Sequence, residues 1–242
     1  MWAGVELPHV YWPDHDTQTQ LTKYLPIDAG YSLIEIGCAP GGWLAYFNRQ
    51  FKYAVSGVEY AKNAAAATYR NMSLLGIEAE ILTQDFFLLD CERNKYDLVF
   101  SAGFIEHFLD LSPVMDRICA LSRRYVITIV PNTFGINGCI SKTIRPTVYA
   151  EHNPIDAATL DFIHTERRIK TLFCDYVGGV RLIMPGSGNK FFEKHNNYAR
   201  VVNAPVKVLN HISEALVRGL SFVPRTRLFS DRLLYIGIKD GA

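Results

Sequence analysis

The chain has 242 residues and a formal net charge of +1, with 49% hydrophobic and 20% charged residues. These are ordinary globular proportions, and a chain of this length buries a sizeable core without disulfides or metals. The near-neutral balance argues against a general nucleic-acid binder, which would carry a basic excess. Its five cysteines are scattered, with no CxxC or Cys/His spacing, so neither a zinc site nor a disulfide framework is expected. The N-terminal stretch is acidic where a signal peptide would be apolar, and no apolar run reaches about 18 residues. A cytoplasmic protein is the expectation.

Residues 1–30 read as an N-terminal lid or helix, with Tyr11 and Trp12 expected to pack in the core or, alternatively, to fold over a ligand. Apolar runs then predict strands at Leu33–Ile36, Ala54–Glu59, Ala79–Thr83, Asp97–Ser101, Tyr125–Val130, Lys170–Tyr176 and Leu233–Ile238. Helical stretches fall between several of them. Trp43–Gln50 follows the first strand, and alanine-rich Lys62–Leu75 follows the second. Ser112–Pro113 supply an N-cap and first-turn proline for a helix reaching Leu121. Asp156 caps a helix running to about Arg167. This alternation predicts one α/β domain: a mostly parallel sheet covered by helices on both faces. Two stretches interrupt the pattern, 132–153 and 185–231, and both are expected as insertions that shape an acceptor site.

The first predicted strand runs into Glu35-Ile36-Gly37-Cys38-Ala39-Pro40-Gly41-Gly42-Trp43. A glycine-rich turn there lets the backbone approach a ligand and aims the next helix's N–H groups at it. Taken alone, the turn nearly fits both GxGxxG and GxGxG. The second strand ends in Glu59, whose carboxylate suits a ribose diol. The third is followed by Asp85-Phe86, suited to the edge and face of an adenine.

Glu35–Trp43, Glu59–Tyr60, Asp85–Phe86, Tyr96–Phe100 and Gly103–Phe108 in this order resemble the successive motifs of class I S-adenosylmethionine-dependent methyltransferases. Their style is similar to the small-molecule type 11/12 branch, including bacterial enzymes of surface-polysaccharide synthesis. The resemblance covers roughly residues 30–135. Ala39 departs from it, standing where the family usually has its middle glycine. It implies a Rossmann-like, seven-stranded sheet with an antiparallel last strand. It also implies S-adenosylmethionine as cofactor and S-adenosylhomocysteine as product. By the same resemblance Glu35, Gly37, Cys38, Ala39 and Gly41 hold the methionine end. Glu59 takes the ribose, Tyr60 packs on the adenine, Asp85 and Phe86 read its edge, and Ser101 and Ala102 lie beneath the sulfonium.

Methyl transfer needs alignment of nucleophile, methyl carbon and sulfur, and an alcohol acceptor must also lose a proton. His107, just after the fourth strand, is the candidate base, with Glu106 structural or orienting. Glu106, Asn132, Asn137, Tyr149, His152 and Asn153 are candidates to touch a hydroxyl-rich acceptor. No metal site is expected, because His152, His164 and His195 lack paired carboxylates at ligand spacing.

The Cys-Ala-Pro-Gly-Gly-Trp turn also occurs in some RNA-ribose methyltransferases, but the lysines and acid those enzymes place around the fourth and fifth strands are missing here. Nucleic acid is therefore not the expected acceptor. The expectation is O-methylation of a sugar or glycan precursor. The alternatives are another small metabolite, lipid or quinone, a nicotinamide-dependent oxidoreductase, or an inactive cofactor-binding module. Residues 186–232 carry eight Lys/Arg against three acids. That excess fits steering of an anionic or lipid-linked glycan at a membrane surface. The amphipathic stretch Val206–Leu220 fits a core or homodimer face.

Overall fold

The structure is a computed structural model that describes residues 13–89, 92–136, 138–139, 152–178 and 226–241. Its centre is a seven-stranded sheet in the order β3-β2-β1-β4-β5-β7-β6. The strands are β1 (Ser32–Ile36), β2 (Ala54–Glu59), β3 (Ala79–Thr83), β4 (Tyr96–Ala102), β5 (Ser122–Pro131), β6 (Ile169–Val177) and β7 (Arg232–Lys239). The first five pair in parallel, and β7 runs antiparallel between β5 and β6. All seven expected strands are present, each at or slightly beyond its expected bounds. The expected antiparallel last strand is β7.

Among the described residues the main helices are α1 (His15–Tyr24), α2 (Gly42–Phe51), α3 (Lys62–Leu74), α4 (Ser112–Leu121) and α5 (Ala157–Thr165). Asp14 caps α1 by accepting from the Thr17 N–H, and Asp156 caps α5 through the Thr159 N–H. The cap expected at Ser112 is displaced by one residue. Leu111 takes the N-cap position, while the Asp110 carboxylate accepts from the Ser112 N–H.

Alternation along the strands splits the core into two layers. Ile34, Ile36, Val99, Val126 and Val130 face α4 and α5, where Val114, Met115, Ile118 and Leu160 meet them. Leu33, Val55, Leu98, Phe100 and Ile127 face the other way, against Leu21 of α1, Leu44, Phe47 and Phe51 of α2, and Met72 of α3. Central strands buried on both faces read as continuous apolar runs, which is why they are so plain in the sequence.

At the far edge of β1 and β4 from the glycine-rich turn, Asp97 ties the sheet together. Its carboxylate accepts from the backbone N–H and hydroxyl of Ser32 at 2.9 and 3.0 Å and from Arg123 at 3.0 Å. Burial pushes its pKa up, but these bonds outweigh burial and hold the carboxyl below its ordinary range.

Among the described residues no helix is long and apolar enough to cross a membrane. Tyr11, Trp12, Asn137, Tyr149, most of the first insertion, and the stretch 179–225 with Val206–Leu220 lie outside the described residues.

Candidate active site

The parallel strands all deliver their C-terminal ends to one edge of the sheet, where ligands of open α/β folds bind. β1 ends there in the turn Gly37–Gly41. Gly37 and Gly41 have φ of +74° and +94°, a region L side chains rarely adopt. A Cβ on Gly41 would also lie 2.7 Å from Met72 Cε. The turn is braced from α3, where Asn71 Nδ2 donates to the Pro40 carbonyl at 2.9 Å. It is also stitched to β2, since the Gly37 and Cys38 N–H groups both donate to the Val58 carbonyl.

Cys38 is fully buried, and its thiol packs so closely on Gly57 that a Cβ there would lie 2.5 Å from Sγ. Its side chain therefore anchors the turn to β2 and leaves only its backbone to face a ligand. The glycine inside β2 was the sequence signal for this close approach.

Three buried oxygens at this edge have no hydrogen-bond partner among the described residues: Glu35 Oε2, Ser101 Oγ and Glu106 Oε2. Glu35 and Glu106 are each 2% exposed and Ser101 1%. Ser101 is in register with Ile36, so Glu35 and Ser101 reach the same end of the sheet, and Glu106 follows on the turn after β4. Burial pushes the Glu35 carboxyl well above its ordinary range, against a bond from the Leu44 N–H that lowers it. Buried polar atoms without partners are uncommon and call for an occupant. A ligand with an ammonium, a sulfonium and hydroxyls meets that demand, so the donor set fits S-adenosylmethionine.

Glu59, at the end of β2, uses Oε1 to accept from the Ala61 N–H at 2.9 Å, which orients the carboxylate at the mouth. Tyr60 beside it is 77% exposed, a free ring face at the position expected to cover an adenine. Asp85 caps a single 3-10 turn, Phe86–Leu88, by accepting from the Phe87 N–H. Phe86 is buried against Phe104, with ring centroids 5.6 Å apart, and Phe104 in turn meets Phe108 at 5.1 Å. Phe104 also lies 3.4 Å from where a Cβ on Gly37 would sit. Phe104 thus wedges the loop after β4 against the glycine turn, a role the sequence reading did not assign. The aromatic pairs Phe86/Phe87 and Phe104/Phe108 after successive strands were the available signal.

After β4, Gly103 turns the chain with φ of +70°, and a second 3-10 turn follows at Ile105–His107. Glu106 folds back over Gly103, with Oε1 3.6 Å from the position of a Cβ there. Burial alone pushes its carboxyl up, to about 7, while its own backbone N–H lowers it slightly. His107 is exposed, and its ring meets that of His152 edge to face at 4.6 Å between centroids. Asn153 clamps the two segments: its N–H donates to the Glu106 carbonyl at 2.7 Å and its amide to the Phe108 carbonyl at 3.1 Å.

Two expected acceptor residues make bonds within the fold. Asn132 is 2% exposed, donates to the Arg227 and Ser230 carbonyls at 2.6 and 2.8 Å, and accepts from the Phe134 N–H. Its amide pins the end of β5 to the start of β7 and has no donor left for a substrate. The amide donor of Asn153 is likewise spent on the loop. His107, His152 and Glu106 are the expected groups that the fold does bring together. Among the described residues no three His, Cys, Asp or Glu side chains gather as metal ligands.

Comparison with known proteins bears on the fold. Residues 33–124 match the family model described as a methyltransferase domain. A S-adenosylmethionine-dependent methyltransferase from Archaeoglobus fulgidus superposes with a TM-score of 0.58 at 17% identity, covering 92% of this chain and 93% of that one. Geranyl diphosphate C-methyltransferase from Streptomyces coelicolor A3(2), solved with Mg2+, geranyl diphosphate and S-adenosyl-L-homocysteine, superposes at 0.58 with 13% identity, covering 92% and 79%. A S-adenosylmethionine-dependent methyltransferase from Aquifex aeolicus gives 0.54 at 14% identity, covering 67% and 85%. A comparison with curated proteins returns no match. An antiparallel β7 between β5 and β6 also departs from the dinucleotide-binding order 3-2-1-4-5-6 and counts against the oxidoreductase alternative. Over residues 33–124 the chain is similar to a methyltransferase domain, and its fold is that of S-adenosylmethionine-dependent methyltransferases.

Proposed function

We propose that the chain methylates a hydroxyl of a small acceptor, a sugar or glycan precursor, with His107 as the base. The observation that carries this reading is the exposed His107 ring set against His152 at the strand edge that holds the unpartnered oxygens. Bound S-adenosylmethionine supplies an electrophilic methyl group. The glycine turn and Glu35 hold its methionine end, Glu59 orients its ribose, and Tyr60, Asp85 and Phe86 hold its adenine. His107 would accept the hydroxyl proton as the oxygen bonds to the methyl carbon and the carbon–sulfur bond breaks, leaving S-adenosylhomocysteine, and the His152 ring restricts the rotation of its partner. A positioned base of this kind contributes typically about 10²–10⁴-fold.

The sugar class rests on the resemblance to polysaccharide-synthesis enzymes and on the basic excess in 186–232. The same reading makes 1–242 one methyltransferase domain whose insertions shape the acceptor site. A second reading is favoured by a specific feature of the mouth. Phe87, Leu88 and Leu109 are 42%, 76% and 92% exposed there, and Phe87 meets Phe108 at 5.7 Å. Such a rim suits an acceptor with an apolar portion, a lipid or quinone, and geranyl diphosphate in the Streptomyces coelicolor enzyme is a ligand of that character.

Transfer of a labelled methyl group from S-adenosylmethionine into cell extract, followed by fractionation, separates the two. Label in nucleotide sugars or glycan supports the first reading. Label in the lipid fraction overturns it in favour of the second.

A further inference from the structure

We propose that Glu106 recognises the positive charge on the donor's sulfur and thereby separates donor from demethylated product. This rests on the donor site described above and does not depend on the acceptor.

The argument begins with position. Glu35 and Glu106 sit on opposite sides of the β1–β4 pair. Glu35 lies on the α2 side, where it accepts from the Leu44 N–H. Glu106 lies directly after β4, on the turn whose Ile105 packs in the α4–α5 layer, with its carboxyl folded back over Gly103. Between them run the last residues of β4, with the Ser101 hydroxyl unpartnered on the same side as Glu106. A donor whose methionine end follows the glycine turn brings its sulfur to the end of β4. Glu35 then meets the ammonium and Glu106 meets the sulfonium.

The state of Glu106 supports this. It is 2% exposed, and among the described residues Oε2 has no partner and no cation acts on it. Among the described residues the ionisable groups beside it are His107 on its own turn and His152 on the segment clamped by Asn153. A lone buried carboxyl is costly to ionise, and it holds its proton to about 7. An arriving sulfonium supplies the missing countercharge. The carboxyl then gives its proton to solvent and the carboxylate–sulfonium pair remains. After transfer the sulfur is a neutral thioether, the countercharge is gone, and the carboxyl takes a proton back. Product is held less tightly than donor for that reason, and no bond to carbon is involved.

Linkage fixes the sign. Below about pH 7 donor binding must expel a proton, whereas above it the carboxylate is already formed. The ratio of product to donor dissociation constants should therefore rise about tenfold between pH 6 and pH 8 and level off above. Calorimetry of the wild-type protein at pH 6, in two buffers of different ionisation enthalpy, should show proton release with S-adenosylmethionine in excess of that with S-adenosylhomocysteine. Glu106→Gln should abolish the excess and flatten the ratio, leaving product affinity within about threefold.

Equal proton release for the two ligands in the wild type, or a ratio with the same pH dependence in wild type and Glu106→Gln, would overturn the proposal while leaving the methyltransferase reading intact. Failure of both ligands to bind at any pH would remove the donor site itself, and this inference with it. Should the variant not fold, the wild-type calorimetry decides alone.

Discussion

His107 and His152, 45 residues apart in sequence by their numbering, meet edge to face with ring centroids 4.6 Å apart. The contact joins the turn after β4 to the segment entering α5, and Asn153 fastens the two backbones beside it. His107→Gln should lower turnover by at least about 10²-fold with donor affinity nearly unchanged, the pattern of a group used only in the transition state. His152→Ala should lower kcat less and raise acceptor KM, because it frees the His107 ring. Steady-state kinetics on the identified acceptor check both; unchanged kcat in His107→Gln removes the base assignment.

Glu59 has one oxygen committed to the Ala61 N–H and one available at the mouth of the site. A charge-assisted hydrogen bond contributes about 1.5–3 kcal/mol. Glu59→Gln should therefore weaken S-adenosylmethionine by about tenfold or more. Because Glu59 lies at a strand end, the melting temperature of the ligand-free protein should barely move. Titration calorimetry with a parallel melt distinguishes a lost ligand contact from a damaged fold.

Asp97 binds Ser32 twice from within the core, whereas its Arg123 partner has a side chain 52% exposed. Exposed ion pairs contribute little, so the bonds to Ser32 dominate. Asp97→Ala leaves the Ser32 N–H unpaired and should cost about 2–4 kcal/mol in urea unfolding. Arg123→Ala should cost under about 1 kcal/mol. Its folded pKa is depressed, so the contribution of Asp97 is present above its unfolded pKa and is lost as pH falls through the folded one.

Glu106 and His164 should give opposite pH slopes. His164 stacks on Tyr235 at 3.6 Å and has Nδ1 2.6 Å from the Leu160 carbonyl. Burial pulls it down from 6.5 to about 4. Its contribution is present above pH 6.5 and is lost as pH falls toward 4. Glu106 is raised from 4.5 to about 7, so its contribution is present below pH 4.5 and is lost as pH rises through 7. Relative to wild type, Glu106→Gln should gain stability as pH rises from 4.5 to 7. His164→Phe should gain relative stability as pH falls from 6.5 to 4. Chemical unfolding at intervals across pH 4–8 checks the two signs, and parallel curves would refute them.

The seven strands and the glycine turn were legible because each is a local signal. Buried strands are continuous apolar runs, and a turn that needs positive φ declares itself in Gly37 and Gly41. The acids at the ends of β2 and β3 were legible for a related reason. The parallel topology puts every strand end at one edge, so Glu59 and Asp85 could be placed from sequence order alone.

The fate of the polar side chains was not legible. Asn132, Asn153 and Glu106 look alike as loop polar residues, yet the fold spends the first two on carbonyls far away in sequence and leaves one carboxyl oxygen of the third buried without a partner among the described residues. The sequence by itself determined the order of the strands' cofactor motifs and hence the class of fold. Only the tertiary structure decided which polar atoms remain free for chemistry. Hydrogen-bond partners and burial depend on which distant segments arrive at the same edge, and no local pattern carries that information.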